Sequence, residues 1–508
     1  MRVAGERPDT VPAVLVLATL LYAGLSLLIG AYGLAQAHLL WLSLTRPPRP
    51  APPPLVDADC PFVTVQLPLF NEPEVAAGLL VCVAALDWPA DRLQIQVLDD
   101  STDHTPQRVQ AALESLPGAP IEHIRRAHRD GFKAGALAHG LLTARGDCIA
   151  IFDADFRPEP DFLRRMVPHL VHGVGLVQGR WSWLNRDESL FTRLLALHLD
   201  AHFAVEQPAR DRGDLVFGFN GTAGVWRRRC IEEAGGWQGD TLTEDLDLAI
   251  RARLAGWTLR YAEDVHVPSE VPADIGAIRT QQHRWMKGGA QVARKLLGAV
   301  WRSEDRLVSK LAATAHLGGG ALFAAVVLVA ALVPVLVVVA GAGPPGIRFS
   351  LGLASLPMQW TLVVLIGVYG TACVKRGGAR GLIRMAGTFP LFLPFSAALS
   401  LHNAAAVIDG WRGRPSPFVR TPKRGAAPIV RGAAGPVATV VWAELALGLW
   451  LAVGALSLGV PGHVVTCVFL GLQALGFLGL VAASLGRART ASLLGAAVVA
   501  VGLMEGGL

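Results

Sequence analysis

Apolar residues along this 508-residue chain are gathered into blocks rather than spread evenly. The first block runs from Val11 to about Leu42. A bilayer core of about 30 Å needs roughly 20 consecutive apolar residues in helical form, and this block exceeds that. It is also longer than the apolar region of a cleaved signal peptide, so residues 1–45 are expected to form a transmembrane anchor. Segments at about 311–340, 350–373, 437–458, 462–485 and 490–505 could each span a membrane as well. Between about Cys60 and Val300 the pattern changes. Short β-rich runs (Phe62–Pro68, Leu93–Leu98, Ile121–Ile124, Cys148–Phe152) alternate with helical stretches (Ala76–Ala85, Pro106–Ser115, Lys133–Ala144). Such alternation predicts an α/β domain, here residues 60–300, inserted between transmembrane helices. The proline-rich stretch at 46–59 reads as an extended linker.

Charge orients these blocks. Lys375 to Arg384, Arg412 to Arg431, and the pair Arg487 and Arg489 are rich in Lys and Arg, which places all three on the cytosolic side. Residues 385–409 then lie between two loops on the same face. They cannot cross twice in about 25 residues, and they contain Pro390 and Pro394, so an interfacial or re-entrant helix is expected. The outcome is about six spanning helices: the anchor, helices 2 and 3 within 301–374, and the C-terminal set within 434–508. Residues 375–433 form a cytosolic or interfacial region, and the soluble domain is cytosolic. A multi-pass protein of the cell or inner membrane follows.

A composition of 52% hydrophobic and 17% charged residues fits this reading, and the net charge of +6 suits basic loops against anionic lipid. No stacking motif accompanies the basic residues, so nucleic acid is not an expected partner. The six cysteines show neither CxxC nor zinc spacing and read as reduced structural thiols.

In an open α/β sheet, ligands bind beyond the carboxyl ends of the strands. Two such ends are acidic here. Asp153-Ala154-Asp155 follows one strand, and alternation would point both carboxylates the same way, able to share a hard cation such as Mg2+ or Mn2+ with a substrate diphosphate. Asp99 and Asp100 follow another and suit a base and ribose, although a turn capped by Ser101 or Thr102 would also explain them. Lys133 opens a helix whose N-terminus favours anions. Thr243-Glu244-Asp245 precedes a helical pattern, with Thr243 as cap and Asp245 in the first turn; either capping alone or a general base accounts for it.

The ordered set Val63–Pro68, Phe70-Asn71-Glu72, Val97–Asp103, Lys133–Gly135, Phe152–Asp155, Phe217–Gly224, Thr243–Asp245 and Gln281-Gln-His-Arg-Trp285 resembles the family 2 processive glycosyltransferases. It is most similar to the plant cellulose synthase-like mannan and glucomannan synthases. The resemblance implies a GT-A fold and an inverting single displacement with Asp245 as base. Asp99 and Asp100 would contact the nucleoside, Lys133 and Arg284 the diphosphate, and Asp153 and Asp155 the metal and donor. On the acceptor side it implies Trp285 stacking on the terminal sugar, with Gln281, Asn220, Gly221 and Glu244 nearby. Phe418, Thr421 and Lys423 resemble a gating loop that covers the donor, with Arg420 standing where valine is expected. No cyclic-di-GMP control is expected.

The function implied is elongation of a β-linked polysaccharide (mannan, glucomannan or β-glucan) from UDP-glucose or GDP-mannose, with translocation across the membrane. The partners are the donor, the growing glycan, the bilayer and an unknown export protein. One-step transfer to a lipid, as in ceramide glucosyltransferase-like enzymes, is the alternative. An export subunit without chemistry would give no reason for a metal pair, a base and a diphosphate-binding arginine in one domain.

Overall fold

The computed structural model describes residues 13–342, 345–414, 416, 419, 421, 436–457 and 464–485. Its α/β domain is built on a seven-stranded mixed sheet. The strands are β1 (Val63–Leu69), β2 (Leu93–Asp99), β3 (Ile121–Arg125), β4 (Cys148–Ile151), β5 (Val174–Trp183), β6 (Gly224–Arg227) and β7 (Thr258–Ser269), in spatial order β3-β2-β1-β4-β6-β5-β7. The first four are mutually parallel, whereas β6 runs antiparallel to both β4 and β5.

The four sequence-predicted strands all form, and their alternation has a specific meaning. Val63, Val65 and Leu67 of β1, with Ile95 and Val97 of β2, face an apolar core shared with the Ala76–Ala84 and Thr105–Glu114 helices. The intervening side chains are polar yet buried: Thr64 donates to Gln94 Oε1 (2.9 Å), and the Gln66 amide donates to Gln96 Oε1 (3.1 Å). Buried amides of this kind are tolerated because they are bonded, and a slip of one residue would break them.

The other sheet face is covered differently. Ile149, Ile151, Leu176 and Trp226 join one continuous apolar cluster with the Leu190–Ala201 helix and with Val364, Phe389 and Phe477 of the long apolar helices. Domain and apolar helices therefore share a core.

Among the described residues, five helices are long and apolar enough to cross a membrane: Leu15–Thr45, Ala321–Val338, Gly346–Trp411, Thr439–Ser457 and Thr466–Leu485. Exposed Leu17, Leu20, Leu27 and Leu34 line the outer face of the first. Two glycine pairs break the apolar segments. The segment at 311–340 holds the candidate span Ala321–Val338 and the end of a separate helix, Leu307–Gly318, because Gly319 and Gly320 interrupt the ladder where small residues cost least to bend. The helix Pro345–Trp411 contains both the expected span and the expected interfacial helix, parted at Gly377 (φ −149°) and Gly378 (φ 56°). The segment at 490–505 lies outside the described residues.

The arm after the bend, 379–411, touches both halves of the molecule. Phe389 and Phe392 pack on Tyr369, and Phe395 packs on Phe191 of the domain. Gly410 abuts the backbone of Lys287, where a Cβ would come within 2.6 Å of the Lys287 carbonyl oxygen. The basic loop is docked too: Lys375 donates to Ser43 and to the Ala204 carbonyl, and Arg376 pairs with Asp200.

Candidate active site

One cleft of about 1070 Å³ opens at the carboxyl ends of β1 and β4. Asp100, Lys133, Asp153, Asp155, Asn220, Gly221, Glu244, Asp245, Gln281, Arg284, Trp285 and Thr421 all line it. These come from seven separate stretches of chain, joined only by the fold.

β4 ends at Ile151, one residue earlier than the sequence suggests, so Asp153 and Asp155 occupy a turn instead of alternating along a strand. Their carboxylates have different partners. Asp153 is partly exposed and accepts from Lys133 Nζ at 2.6 Å, while Asp155, 2% exposed, accepts from the Ser269 hydroxyl at 2.9 Å. Both still line the cleft, Asp153 from its floor beside Lys133 and Asp155 from the β7 side.

The antiparallel pairing of Ile151 with Gly224 brings the Phe217–Gly224 stretch against this turn. The Thr222 hydroxyl accepts from the Asp153 amide (2.9 Å), and Lys133 Nζ donates to the Gly221 carbonyl (2.8 Å). Asn220 is pinned by the Gln207 amide (2.8 Å) and by its own N–H to Gln178 (3.0 Å). Gly221 has φ +82°, and a Cβ there would stand 2.7 Å from Asp245 Oδ2. This glycine is thus the spacer between the loop and the carboxylate.

Asp245 sits in the first turn of the Glu244–Leu254 helix, its Oδ1 accepting from the Leu246 N–H (2.8 Å). Thr243 holds the cap position, but its side chain makes no capping bond; it packs against Gly288 instead, where an added Cβ would overlap it. Burial, and then the adjacent Glu244 carboxylate, push the Asp245 pKa up to about 7, against the pull of Lys133 and Arg284. Burial raises Glu244 as well. Burial alone would lower Lys133, but the Asp153 and Glu244 carboxylates outweigh it and hold the ammonium charged.

Gln281, Arg284 and Trp285 lie in the Ile275–Arg302 helix, which is capped by Asp274 accepting from the Ala277 N–H (2.9 Å). Spacings of three and four residues put them on one face, which forms a wall of the cleft. Thr421, 4% exposed, reaches the same cleft from the loop that follows the 379–411 arm. Phe418 and Lys423 lie outside the described residues.

Asp99 and Asp100 separate. Asp100 faces the cleft and is gripped by Arg126 through two bonds, 2.9 and 2.5 Å. Asp99 is 1% exposed and does not line the cleft; it binds the Ser101 N–H and the His123 ring. Burial alone would raise its pKa, and those bonds outweigh it, keeping it ionised and below the usual range. It organises the turn from beneath.

The sequence reading gave Phe70 no role in the site and missed Trp181, Arg129 and Ser269, all of which also line the cleft. Trp181 stacks on Phe203 (4.9 Å), and the Arg129 guanidinium lies 3.3 Å from the centre of the Phe70 ring. Trp181 and Ser269 sit on β5 and β7, strands the periodicity did not resolve. Arg129 precedes Asp130-Gly131 in a segment rich in arginine and histidine, where nothing marks one cation over another.

A family profile described as glycosyl transferase family group 2 matches residues 148–374, which include the Asp153 turn, Asp245 and the Gln281–Trp285 wall. This stretch is similar to the family 2 glycosyltransferase domain. The chain is 46% identical over 266 residues to glucomannan 4-beta-mannosyltransferase 1 of Oryza sativa subsp. japonica, covering 51% of this chain and 51% of that protein. It is 46% identical over 258 residues to glucomannan 4-beta-mannosyltransferase 2 of Arabidopsis thaliana, covering 49% and 48%. The chain spans about half the length of these curated relatives. In fold, the domain matches the mannosyltransferase PcManGT of Pyrobaculum calidifontis, solved with GDP-Man and Mn2+, at a TM-score of 0.50 and 24% identity, covering 70% of this chain and 98% of that one. The architecture is a GT-A-like α/β transferase fold with a mixed sheet.

Proposed function

We propose that this chain is a membrane-embedded, inverting mannosyltransferase that lengthens a β-linked mannan or glucomannan from GDP-mannose. The observation that carries the reading is the convergence of Lys133, Asp153, Gly221 and Asp245 within one cleft whose wall bears Arg284 and Trp285. The naming of the sugar rests on the glucomannan mannosyltransferases to which the domain is similar.

In this reading the acceptor's terminal sugar lies on Trp285, its apolar face against the indole, with Gln281 and Asn220 bonding its edges. Asp245 takes the proton of the attacking hydroxyl as oxygen bonds to the anomeric carbon. The bond from that carbon to the diphosphate breaks on the opposite face, and one base suffices because the configuration inverts in a single step. Its elevated pKa suits the task, since a base near the working pH accepts a proton readily while still being ionised. Lys133 and Arg284 stand where the departing diphosphate gathers charge. Asp153 and Asp155 fit a divalent cation: two carboxylates beside a diphosphate are the usual protein share of a Mg2+ or Mn2+ shell. When bound, that ion neutralises the leaving group. The docking of Lys375 and Arg376 on the domain supports one shared face for domain and basic loop, with the 379–411 arm lying between domain and membrane.

The test is incubation of the reconstituted protein with GDP-mannose or UDP-glucose, with and without Mg2+ or Mn2+, and sizing of the product. Long β-mannanase-sensitive polymer from GDP-mannose is expected. A single sugar on co-purified lipid would replace this reading with glycolipid synthesis.

A further inference from the structure

The helix that carries Gln281, Arg284 and Trp285 is held from behind. At 3.6 residues per turn, Arg279 projects from roughly the opposite side of the helix to those three. Its guanidinium is 5% exposed and forms a two-pronged pair with Glu444, which is fully buried: Nη1 donates to Oε1 at 2.9 Å and Nη2 to Oε2 at 2.6 Å. Nη2 also donates to the Ser484 hydroxyl at 3.1 Å. The Arg279 carbonyl lies 3.0 Å from His402 Nε2 on the 379–411 arm. One residue, two positions before Gln281, is thereby clamped by three helices, and Glu444 and Ser484 belong to two of the membrane-span candidates.

An ionisable residue inside a span is costly and tends to mark function. Stability alone explains the pair poorly, because desolvation offsets the attraction between buried charges and an apolar pair of similar volume packs as well or better. What a bidentate guanidinium–carboxylate contact supplies is fixed geometry. We propose that Arg279 and Glu444 are positioning residues, setting the register of the Ile275–Arg302 helix against the membrane helices and so aiming Gln281 and Trp285 at the acceptor. Gly410, pressed on the Lys287 carbonyl about two turns further along, adds a second contact between this helix and the 379–411 arm. The inference rests on the transferase reading above.

The experiment compares wild type, Glu444→Leu, Arg279→Lys and the double variant Arg279→Met/Glu444→Leu in nanodiscs. Glu444→Leu strands a buried cation and is expected to lose thermal stability; the double variant recovers it. A displacement of about 1 Å at reacting groups costs up to about 10²-fold. The double variant is therefore expected to extend a mannooligosaccharide roughly 10- to 100-fold less efficiently, through acceptor KM and kcat, while acceptor-free GDP-mannose hydrolysis, which draws only Arg284 from this helix, falls by less. Arg279→Lys, which keeps the charge and loses the fork, should fall between. Hydrogen exchange of the backbone amides at 279–290 is read on the same samples and needs no turnover; faster exchange in the stable double variant is expected. A double variant with wild-type stability, exchange and extension would overturn the proposal. A wild type that turns over neither donor counts against the transferase reading, and the exchange comparison then still decides this one.

Discussion

The contact between Gly221 and Asp245 invites one small perturbation, Gly221→Ala. The backbone there has φ +82°, a left-handed conformation that costs an L-residue roughly 1–2 kcal/mol. The new methyl would also stand 2.7 Å from Asp245 Oδ2 and 3.4 Å from Lys133 Nζ. Ordinary contact begins near 3.4 Å, so the lysine is undisturbed and the carboxylate has to retreat by about 0.7 Å. Asp245 is tied to Leu246 N–H and to the first helical turn, so the retreat moves it off the line to the acceptor hydroxyl. A misplacement of that order is worth up to about 10²-fold in rate, or about 2.7 kcal/mol of barrier. The backbone strain should lower the melting temperature by only a few degrees. The assay is initial-rate transfer to a mannooligosaccharide, with GDP-mannose affinity measured separately by calorimetry. A kcat down roughly 30- to 100-fold with donor affinity nearly unchanged is expected. Transfer within twofold of wild type would refute the reasoning, since it would mean that the carboxylate can move freely without loss.

Three other outcomes follow from the same geometry. Asp245 is raised from about 4 in the unfolded chain to about 7, so kcat/KM for transfer should climb about tenfold per pH unit below 7 and level off above it. The stability it contributes has the opposite sign, present in full below pH 4 and lost as pH rises through 7. Asp245→Asn should remove the rate limb and abolish transfer, leaving donor binding; a pH–rate profile of the variant matching wild type would name another base. Asp155→Ala, or EDTA treatment of the wild type, should weaken donor binding at least tenfold in the presence or absence of Mn2+ respectively, and a variant that keeps full metal dependence would remove Asp155 from the site. Trp285→Ala should raise acceptor KM about tenfold, a stacking loss of 1–1.5 kcal/mol, while acceptor-free donor hydrolysis persists; equal loss of both activities would leave the indole a packing role only.

Much of this protein is written in local patterns. The β-rich runs that became β1 to β4 are short-range signals, set by backbone geometry and by which side chains tolerate burial, and the structure follows their bounds to within one residue. The ordered motifs also pointed to one site, because each motif keeps its own local shape whatever surrounds it. The long apolar helices were legible from length and apolarity, but the Gly319-Gly320 break and the Gly377-Gly378 bend were not, because one-dimensional hydropathy does not see them.

Pairings between distant stretches were another matter. Nothing in the sequence separates Asp99 from Asp100, yet one is buried beneath the turn on His123 and the other held by Arg126 at the cleft. Lys133 reads as an anion binder, and only β4 pairing with β6 puts Asp153 and Gly221 within its reach. The pKa of Asp245 depends on burial and on Glu244, Lys133 and Arg284 together, from three stretches of chain. The buried partner of Arg279 lies 165 positions away, on a helix whose composition announces only a membrane span. The sequence determined which elements form and which residue types stand ready for sugar transfer. The tertiary structure decided which of them meet, because burial, charge proximity and register are properties of the packed chain and have no local signature.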